Sequence, residues 1–269
     1  IITTLHSLAN PENAKGMARY GINQHNNLGI SIYHLRPLAK QIGTNHMLAL
    51  RLWDSQIHDA RLLACFIDDP IQVTSEQMDA WTEDFDSWDI CDQVCGLFAR
   101  TPYAYAKAQA WSSRPETFVK RAGFVLMATL AVHDKRAEDE RLAQFLPAIA
   151  REATDERNFV RKAVNWALRQ IGKRSLMLNT EAIETARHIQ HLESKAARWI
   201  AADALREQIG HVVEVVGDRR GCGGKFLSDR CRLKRRILFD LETQRINVID
   251  AQQHALFERV DSVFRRRLC

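Results

Sequence analysis

The feature that most constrains the fold of this chain is an apolar repeat of about 3.6 residues, which recurs in segment after segment up to about residue 208. Strand-like alternation bounded by Asn-Gly or Asp-Gly turns is absent. The sequence therefore predicts an all-α protein. The predicted helices cover 12–22, 31–42, 44–54, 56–68, 74–85, 87–99, 103–112, 115–131, 138–152, 156–173, 179–191 and 194–208.

The connections between these helices are short and polar, and they carry Asp68-Asp69-Pro70, Thr101-Pro102, Arg114-Pro115 and Asn179-Thr180. Short loops make antiparallel neighbours, and a long series of such pairs favours a stacked α-solenoid over a four-helix bundle. Helix starts recur at separations near the period of about 40 residues that is typical of HEAT units, at Asp68-Asp69-Pro70, Arg114-Pro115-Glu116 and Thr154-Asp155-Glu156. This spacing supports the solenoid.

The chain divides into a balanced body, residues 1–210, and a basic extension, residues 211–269. The extension contains 13 Lys/Arg and 8 Asp/Glu, which accounts for the whole net charge of +5. A helical apolar stripe from Ile249 to Phe264 indicates that the extension is partly helical. It could cover the solenoid, contact another protein or add DNA affinity. Because the chain begins at Ile1, we expect a truncated or processed N-terminus.

Several classes of protein are disfavoured by what the sequence lacks. It has no apolar run of about 18 residues and no signal-peptide pattern, so a cytoplasmic protein without a membrane segment is expected. The cysteines have no paired zinc-ligand spacing, and Cys91 and Cys95 are expected to pack in the core. Phosphate-binding, acyl-transfer and metalloprotease motifs are missing, so neither a metal nor a cofactor is expected.

A pair of side chains in segment 87–99 is the best indication of function. Trp88 and Asp92 lie one helical turn apart, so the indole and the carboxylate are neighbours. The apolar residues of the segment fall on its other side, at Ile90, Val94, Leu97 and Phe98. The pair is therefore predicted to face a groove or solvent.

Two later helices carry further candidates. Lys162, Trp166, Arg169 and Lys173 form a basic stripe opposite the apolar face of their helix. Arg121 interrupts an almost wholly apolar helix and needs an anionic partner. Considered alone, each helix also has a structural interpretation. The stripe could be a solvated basic face, and Arg121 could form a salt bridge to a carboxylate of the next helix. Together, cations interleaved with aromatic rings are what a nucleic-acid groove requires.

The chain resembles the AlkD-like DNA alkylation repair glycosylases over roughly residues 8–208. The matching segments, in the order of the family, are Asn10 to Tyr20, Leu28-Gly29-Ile30, Leu52-Trp53-Asp54, Ser87-Trp88-Asp89 with Asp92, Phe118 to Ala122, Lys162-Ala163 and Trp166 to Arg169. Each motif is short and of modest specificity by itself, so the resemblance rests on the order in which the motifs occur.

This resemblance implies a HEAT-like α-solenoid whose concave face cradles duplex DNA. It implies that Asp92 is the catalytic carboxylate, that Trp88 and Trp166 are aromatic walls of the site, and that Arg121 contacts DNA. Lys162, Arg169 and Lys173 are predicted to add phosphate contacts. Trp53 is expected in the core, and Trp111 and Trp199 are expected to be structural.

The implied reaction is hydrolysis of the N-glycosidic bond of cationic alkylated purines, such as 3-methyladenine and 7-methylguanine, without a tight base pocket. A monomer is expected, because a solenoid with a DNA groove can work alone. A cationic base leaves without a general acid, so one carboxylate beside the sugar suffices. Two alternatives remain open at this stage: a non-catalytic relative that binds branched or distorted DNA, and a protein-interaction scaffold.

Overall fold

The structure, a computed structural model, describes residues 1–217, with side chains up to residue 208. This part of the chain contains helices and no strands. In chain order the helices are α1 (Ile2–Ser7), α2 (Pro11–Ala18), α3 (Ile32–Ile42), α4 (His46–Asp54), α5 (His58–Ile67), α6 (Ser75–Glu83), α7 (Trp88–Phe98), α8 (Ala104–Ser112), α9 (Thr117–His133), α10 (Asp139–Ala143), α11 (Leu146–Glu152), α12 (Asn158–Gly172), α13 (Leu176–Gln190) and α14 (Lys195–Gly217). The apolar stripe predicted from Ile249 to Phe264 lies outside the described residues.

The helices of this region stack in a regular order. One row consists of α5, α7, α9, α12 and α14, each packed on the next, and is called here the central row. Helices α4, α8 and α13 pack against members of this row from a second layer. The all-helical solenoid predicted from the apolar repeat is thus confirmed. None of the described helices is long and apolar enough to cross a membrane.

Several helix boundaries differ from the sequence prediction, and α14 continues to Gly217 instead of ending at residue 208. Helix α1 was not predicted, and α2 ends at Ala18 instead of reaching residue 22. The predicted helix 138–152 is two helices, because Pro147 in the first turn of α11 cannot donate the backbone hydrogen bond that a continuous helix needs. The predicted connection at Asn179-Thr180 lies inside α13, whose true N-cap is Ser175; its Oγ accepts from the Leu178 amide at 3.1 Å.

The core contains the residues that the sequence assigned to it. Trp53 is buried and stacks on Trp81 with ring centroids 4.1 Å apart. Cys91 and Cys95 are buried free thiols, and Trp111 is also buried. Trp199 is 39% exposed, and the guanidinium of Arg161 lies over its ring.

Close packing of α8 on α9 depends on Gly123. A Cβ at this position would lie 2.6 Å from the backbone nitrogen of Ser112, which cannot move without shifting α8. We expect Gly123→Ala to lower the free energy of unfolding by about 1–3 kcal/mol in urea denaturation. The matched control is Gly96→Ala in α7, where nothing lies within 4 Å; it should raise stability by about 0.5–1 kcal/mol. Equal effects of the two substitutions would contradict this packing.

Candidate functional site

The centre of the candidate site is an ion pair between α7 and α9. Arg121 donates from Nε to Oδ1 of Asp92 at 2.9 Å and from Nη2 to Oδ2 at 2.8 Å. This two-pronged geometry is the strongest form of an arginine–carboxylate pair. The Asp92 side chain is 15% exposed and the Arg121 side chain 8% exposed. The Asp92 carboxylate is therefore almost withdrawn from water.

A third hydrogen bond ties this pair to α12. Nη1 of Arg121 donates to the carbonyl oxygen of Phe159 at 2.7 Å. Arg121 thus uses all three guanidinium nitrogens within the protein, and the salt bridge that the sequence left as its structural alternative is formed. The partner lies on α7, before Arg121 in the chain, rather than on the next helix. The DNA contact of Arg121 stays a prediction, and each of its guanidinium nitrogens already donates one hydrogen bond within the protein.

The charge state of Asp92 follows from its surroundings. Burial raises the pKa of Asp92 above its ordinary value, and the charge and hydrogen bonds of Arg121 oppose that rise. The bidentate partner keeps the anion favoured. We therefore expect Asp92 to be ionised at neutral pH.

Trp88 is the first residue of α7 and is partly exposed. Its indole Nε1 donates to the backbone carbonyl of Tyr20 at 2.9 Å, so the irregular segment after α2 lies against the indole. The one-turn spacing between Trp88 and Asp92 puts both side chains on the same face of α7. The core residues Ile90 and Val94 are fully buried on the other side, as predicted.

A network that the sequence did not reveal supports the start of α7. Nε2 of the buried His58 lies 2.9 Å from Oδ2 of Asp89, and Ser87 donates to Oδ1 of Asp89 at 2.8 Å. Burial lowers the pKa of His58, but the hydrogen bond and the charge of Asp89 outweigh it, so the pKa lies above its ordinary value. The network joins α5 to α7 directly beside Trp88.

This network predicts a pH-dependent stability. A histidine whose pKa is raised by folding contributes its full stabilisation below the unfolded pKa of about 6.5 and loses it as pH rises through the folded value. We expect the unfolding free energy of the wild type to exceed that of His58→Gln most at about pH 6, with the difference shrinking towards about pH 9. Urea denaturation across this range measures it. A pH-independent difference would mean that His58 stays neutral.

The predicted stripe on α12 divides into two parts. Lys162 is exposed and forms no ion pair within the described residues, and Trp166 is partly exposed while it packs against the core. Trp166 lies seven residues after Phe159, which is about 10 Å along a helix. The carbonyl of Phe159 that Arg121 contacts is therefore two turns away from Trp166.

Arg169 and Lys173 are not the open cations that the sequence predicted. Arg169 pairs with Asp203 at 3.2 Å and also with Glu207, and Lys173 pairs with Glu207 as well. Both acids come from α14, the next helix of the central row. Because these charges are neutralised within the protein, only Lys162 remains as an unpaired cation of the original stripe in the described region.

Two aromatic rings near the ion pair were not singled out in the sequence. Phe118 and Phe159 lie at the starts of α9 and α12, with ring centroids 5.5 Å apart. Phe159 lies on the same face of α12 as Lys162 and Trp166, at the N-terminal end of that face. The helical spacing 159, 162, 166 in the sequence would have been enough to predict this. No group of three or more His, Cys, Asp or Glu that could hold a metal ion occurs among the described residues.

The comparisons with known proteins identify the family and the fold. Residues 1–207 match the protein family described as DNA alkylation repair enzyme. A solved structure from work described as "A new family of proteins related to the HEAT-like repeat DNA glycosylases with affinity for branched DNA structures" superposes with a TM-score of 0.65. It is 20% identical and covers 78% of this chain and 94% of its own. No curated protein matches. The family resemblance inferred from the sequence is confirmed.

Proposed function

Because the chain belongs to the DNA alkylation repair enzyme family, we propose that it is a DNA N-glycosylase that releases cationic alkylated purines, such as 3-methyladenine and 7-methylguanine, from duplex DNA. The observation that carries this proposal is the Asp92 carboxylate on α7. It pairs with Arg121, is nearly withdrawn from water and lies one helical turn from an indole. Binding alone does not need such a carboxylate, because a carboxylate repels phosphates.

The chemistry needs few groups. An alkylated purine already carries a positive charge, so it leaves without protonation, and the sugar develops oxocarbenium character. Asp92 stabilises that charge and can orient the attacking water, since a fixed anion in a poorly solvated site acts strongly on developing charge. The indole of Trp88 adds a cation–π contact to the sugar or the base. Trp166 is proposed as a second aromatic wall.

The salt bridge to Arg121 is compatible with this role. A carboxylate has two oxygens with about four acceptor positions, and Arg121 occupies two of them. The remaining positions can face the sugar. Arg121 therefore holds the carboxylate in one orientation and keeps it ionised, which are the two properties that the reaction requires.

DNA must be held by a local surface, because Lys/Arg and Asp/Glu balance before residue 211. Lys162 is proposed as a phosphate contact, since it is exposed and unpaired within the described residues. Arg169 and Lys173 would have to exchange their partners on α14 to reach a phosphate. We propose that they fix α14 on α12.

A second candidate is a non-catalytic protein that binds branched DNA. The engagement of both Asp92 oxygens by Arg121 favours it, because a permanently paired carboxylate can be purely structural. The superposed structure from the family described with affinity for branched DNA is consistent with it.

One pair of assays separates the candidates. The wild-type protein is incubated with methylated duplex DNA and the released bases are quantified by mass spectrometry, while binding is titrated on a duplex and on a four-way junction. Base release above spontaneous depurination supports the glycosylase. Junction binding without release supports the second candidate, and neither result would indicate a protein-interaction scaffold.

A further inference from the structure

An irregular segment between α2 and α3 runs along the N-terminal ends of the central row. This segment, residues 19–27, is called here the N-terminal strap. The carbonyl of Asn26 accepts from the amide of His58 at 2.9 Å, at the start of α5. Asn23 donates to Asp86 at 2.6 Å, just before α7. The strap is thus fixed to two helices of the row.

The end of the strap is fixed by a buried carboxylate. Both oxygens of Asp59, which is fully buried, accept backbone amides at 2.7 Å, one from Leu28 and one from Ile30. Since both acceptor atoms are satisfied by amides of the chain that follows the strap, this end has one defined position.

The strap also reaches α12. Gly21 has φ +76°, and a Cβ on it would lie 2.7 Å from Cζ of Phe159. The backbone at Gly21 therefore rests directly on the Phe159 ring, in a conformation that favours glycine. The residue before it, Tyr20, provides the carbonyl that accepts from Trp88. The strap thus touches α7 and α12, the two helices that Arg121 links from α9.

We propose that the N-terminal strap is a positioning element for Trp88. An indole has a single N–H donor, and its ring is set by two side-chain torsions, so one hydrogen bond at the ring edge selects one orientation. The Tyr20 carbonyl provides that bond, and the contact of Gly21 with Phe159 determines where the carbonyl lies. This inference rests on the proposed function, in which Trp88 is a wall of the site.

The test is Gly21→Ala in the full-length protein. The added methyl group would lie 2.7 Å from Cζ of Phe159, so the strap and the Tyr20 carbonyl shift unless the Phe159 ring rotates away. A displacement of about 1 Å in a positioned group can cost up to about 100-fold in rate. We expect the single-turnover rate of 7-methylguanine release to fall by about 10- to 100-fold, with little change in the dissociation constant for duplex DNA.

A spectroscopic readout follows the indole itself. The chain has six tryptophans, and 5-fluorotryptophan labelling with ¹⁹F NMR reports each of them, the Trp88 signal being assigned from Trp88→Phe. Gly21→Ala should shift the Trp88 signal. Gly43→Ala is the matched control, because Gly43 has a similar φ of +75° but nothing within 4 Å of an added Cβ. It should change neither the Trp88 signal nor the rate.

The contact with Phe159 provides a second check. In a Phe159→Ala background the added methyl group has room, so Gly21→Ala should cause a much smaller further loss of rate and a smaller shift of the Trp88 signal. An unchanged Trp88 signal in Gly21→Ala, or the same change in Gly43→Ala, would overturn the proposal. If the wild type releases no base, the proposed function fails, whereas the Trp88 signal still decides whether the strap positions the indole.

Discussion

Asp92→Asn is expected to reduce release of 7-methylguanine from methylated duplex DNA by at least about 100-fold, because it removes the only negative charge proposed to stabilise the sugar cation. Asparagine has nearly the same shape and keeps one oxygen for Arg121. Binding of the duplex should be retained or slightly stronger, since a charge that repels phosphates is lost. Single-turnover kinetics and a binding titration measure the two effects separately.

A matched control for this variant is Asp79→Asn. Asp79 also pairs with a cation, Lys107, at 2.5 Å, but it belongs to α6, outside the central row. It makes the same chemical change at a carboxylate that is half exposed, so a loss of release that follows only from the change in net charge appears there too. If Asp92→Asn releases 7-methylguanine as fast as Asp79→Asn does, Asp92 is not the catalytic carboxylate.

Arg121→Met is expected to lower the free energy of unfolding by about 3–5 kcal/mol, because it leaves the Asp92 carboxylate buried without its partner. Urea denaturation measures the loss. In the double variant Asp92→Asn, Arg121→Met the buried charge is also gone, so a substantial part of the loss should be recovered. Strictly additive losses would show that the two side chains do not interact energetically.

The same residue tests the predicted DNA contact. If Arg121 contacts a phosphate, as the family resemblance implies, its loss should reduce the salt dependence of DNA binding by about one phosphate contact. Because Arg121 is buried and its charge is already neutralised by Asp92, we expect no such reduction. Where Arg121→Met folds poorly, the double variant Asp92→Asn, Arg121→Met is compared with Asp92→Asn instead, since it removes the cation without leaving a buried charge. A shallower salt slope with unchanged stability would restore the predicted contact.

The helical periodicity of the sequence predicted the solenoid well, because each amphipathic helix must bury its apolar stripe against a neighbour. It also predicted that Trp88 and Asp92 lie on the side of α7 away from Ile90 and Val94, since that position depends only on spacing along one segment. The breaks were harder to predict. Pro147 ends one helix and begins another within a stretch that is continuous in its apolar pattern.

Contacts between helices could not be predicted in the same way. The sequence required an anion for Arg121, but the choice of Asp92, 29 positions away, depends on how α7 and α9 pack. Arg169 and Lys173 lie opposite the apolar stripe of α12, so the sequence predicted that they are open to solvent or DNA. In the structure both pair with Glu207 of α14. The N-terminal strap has no periodic pattern, and the predicted helix 12–22 extended into it.

The measurement that tests the central claim most directly compares two duplexes of identical sequence, one carrying a single 7-methylguanine and the other a single neutral hypoxanthine at the same position. Base release by the wild-type protein is followed under single-turnover conditions against spontaneous loss in buffer. A site that relies on one carboxylate and a positively charged leaving group should release 7-methylguanine and leave hypoxanthine in place. No release of 7-methylguanine above the spontaneous rate, with the duplex bound, would contradict the account.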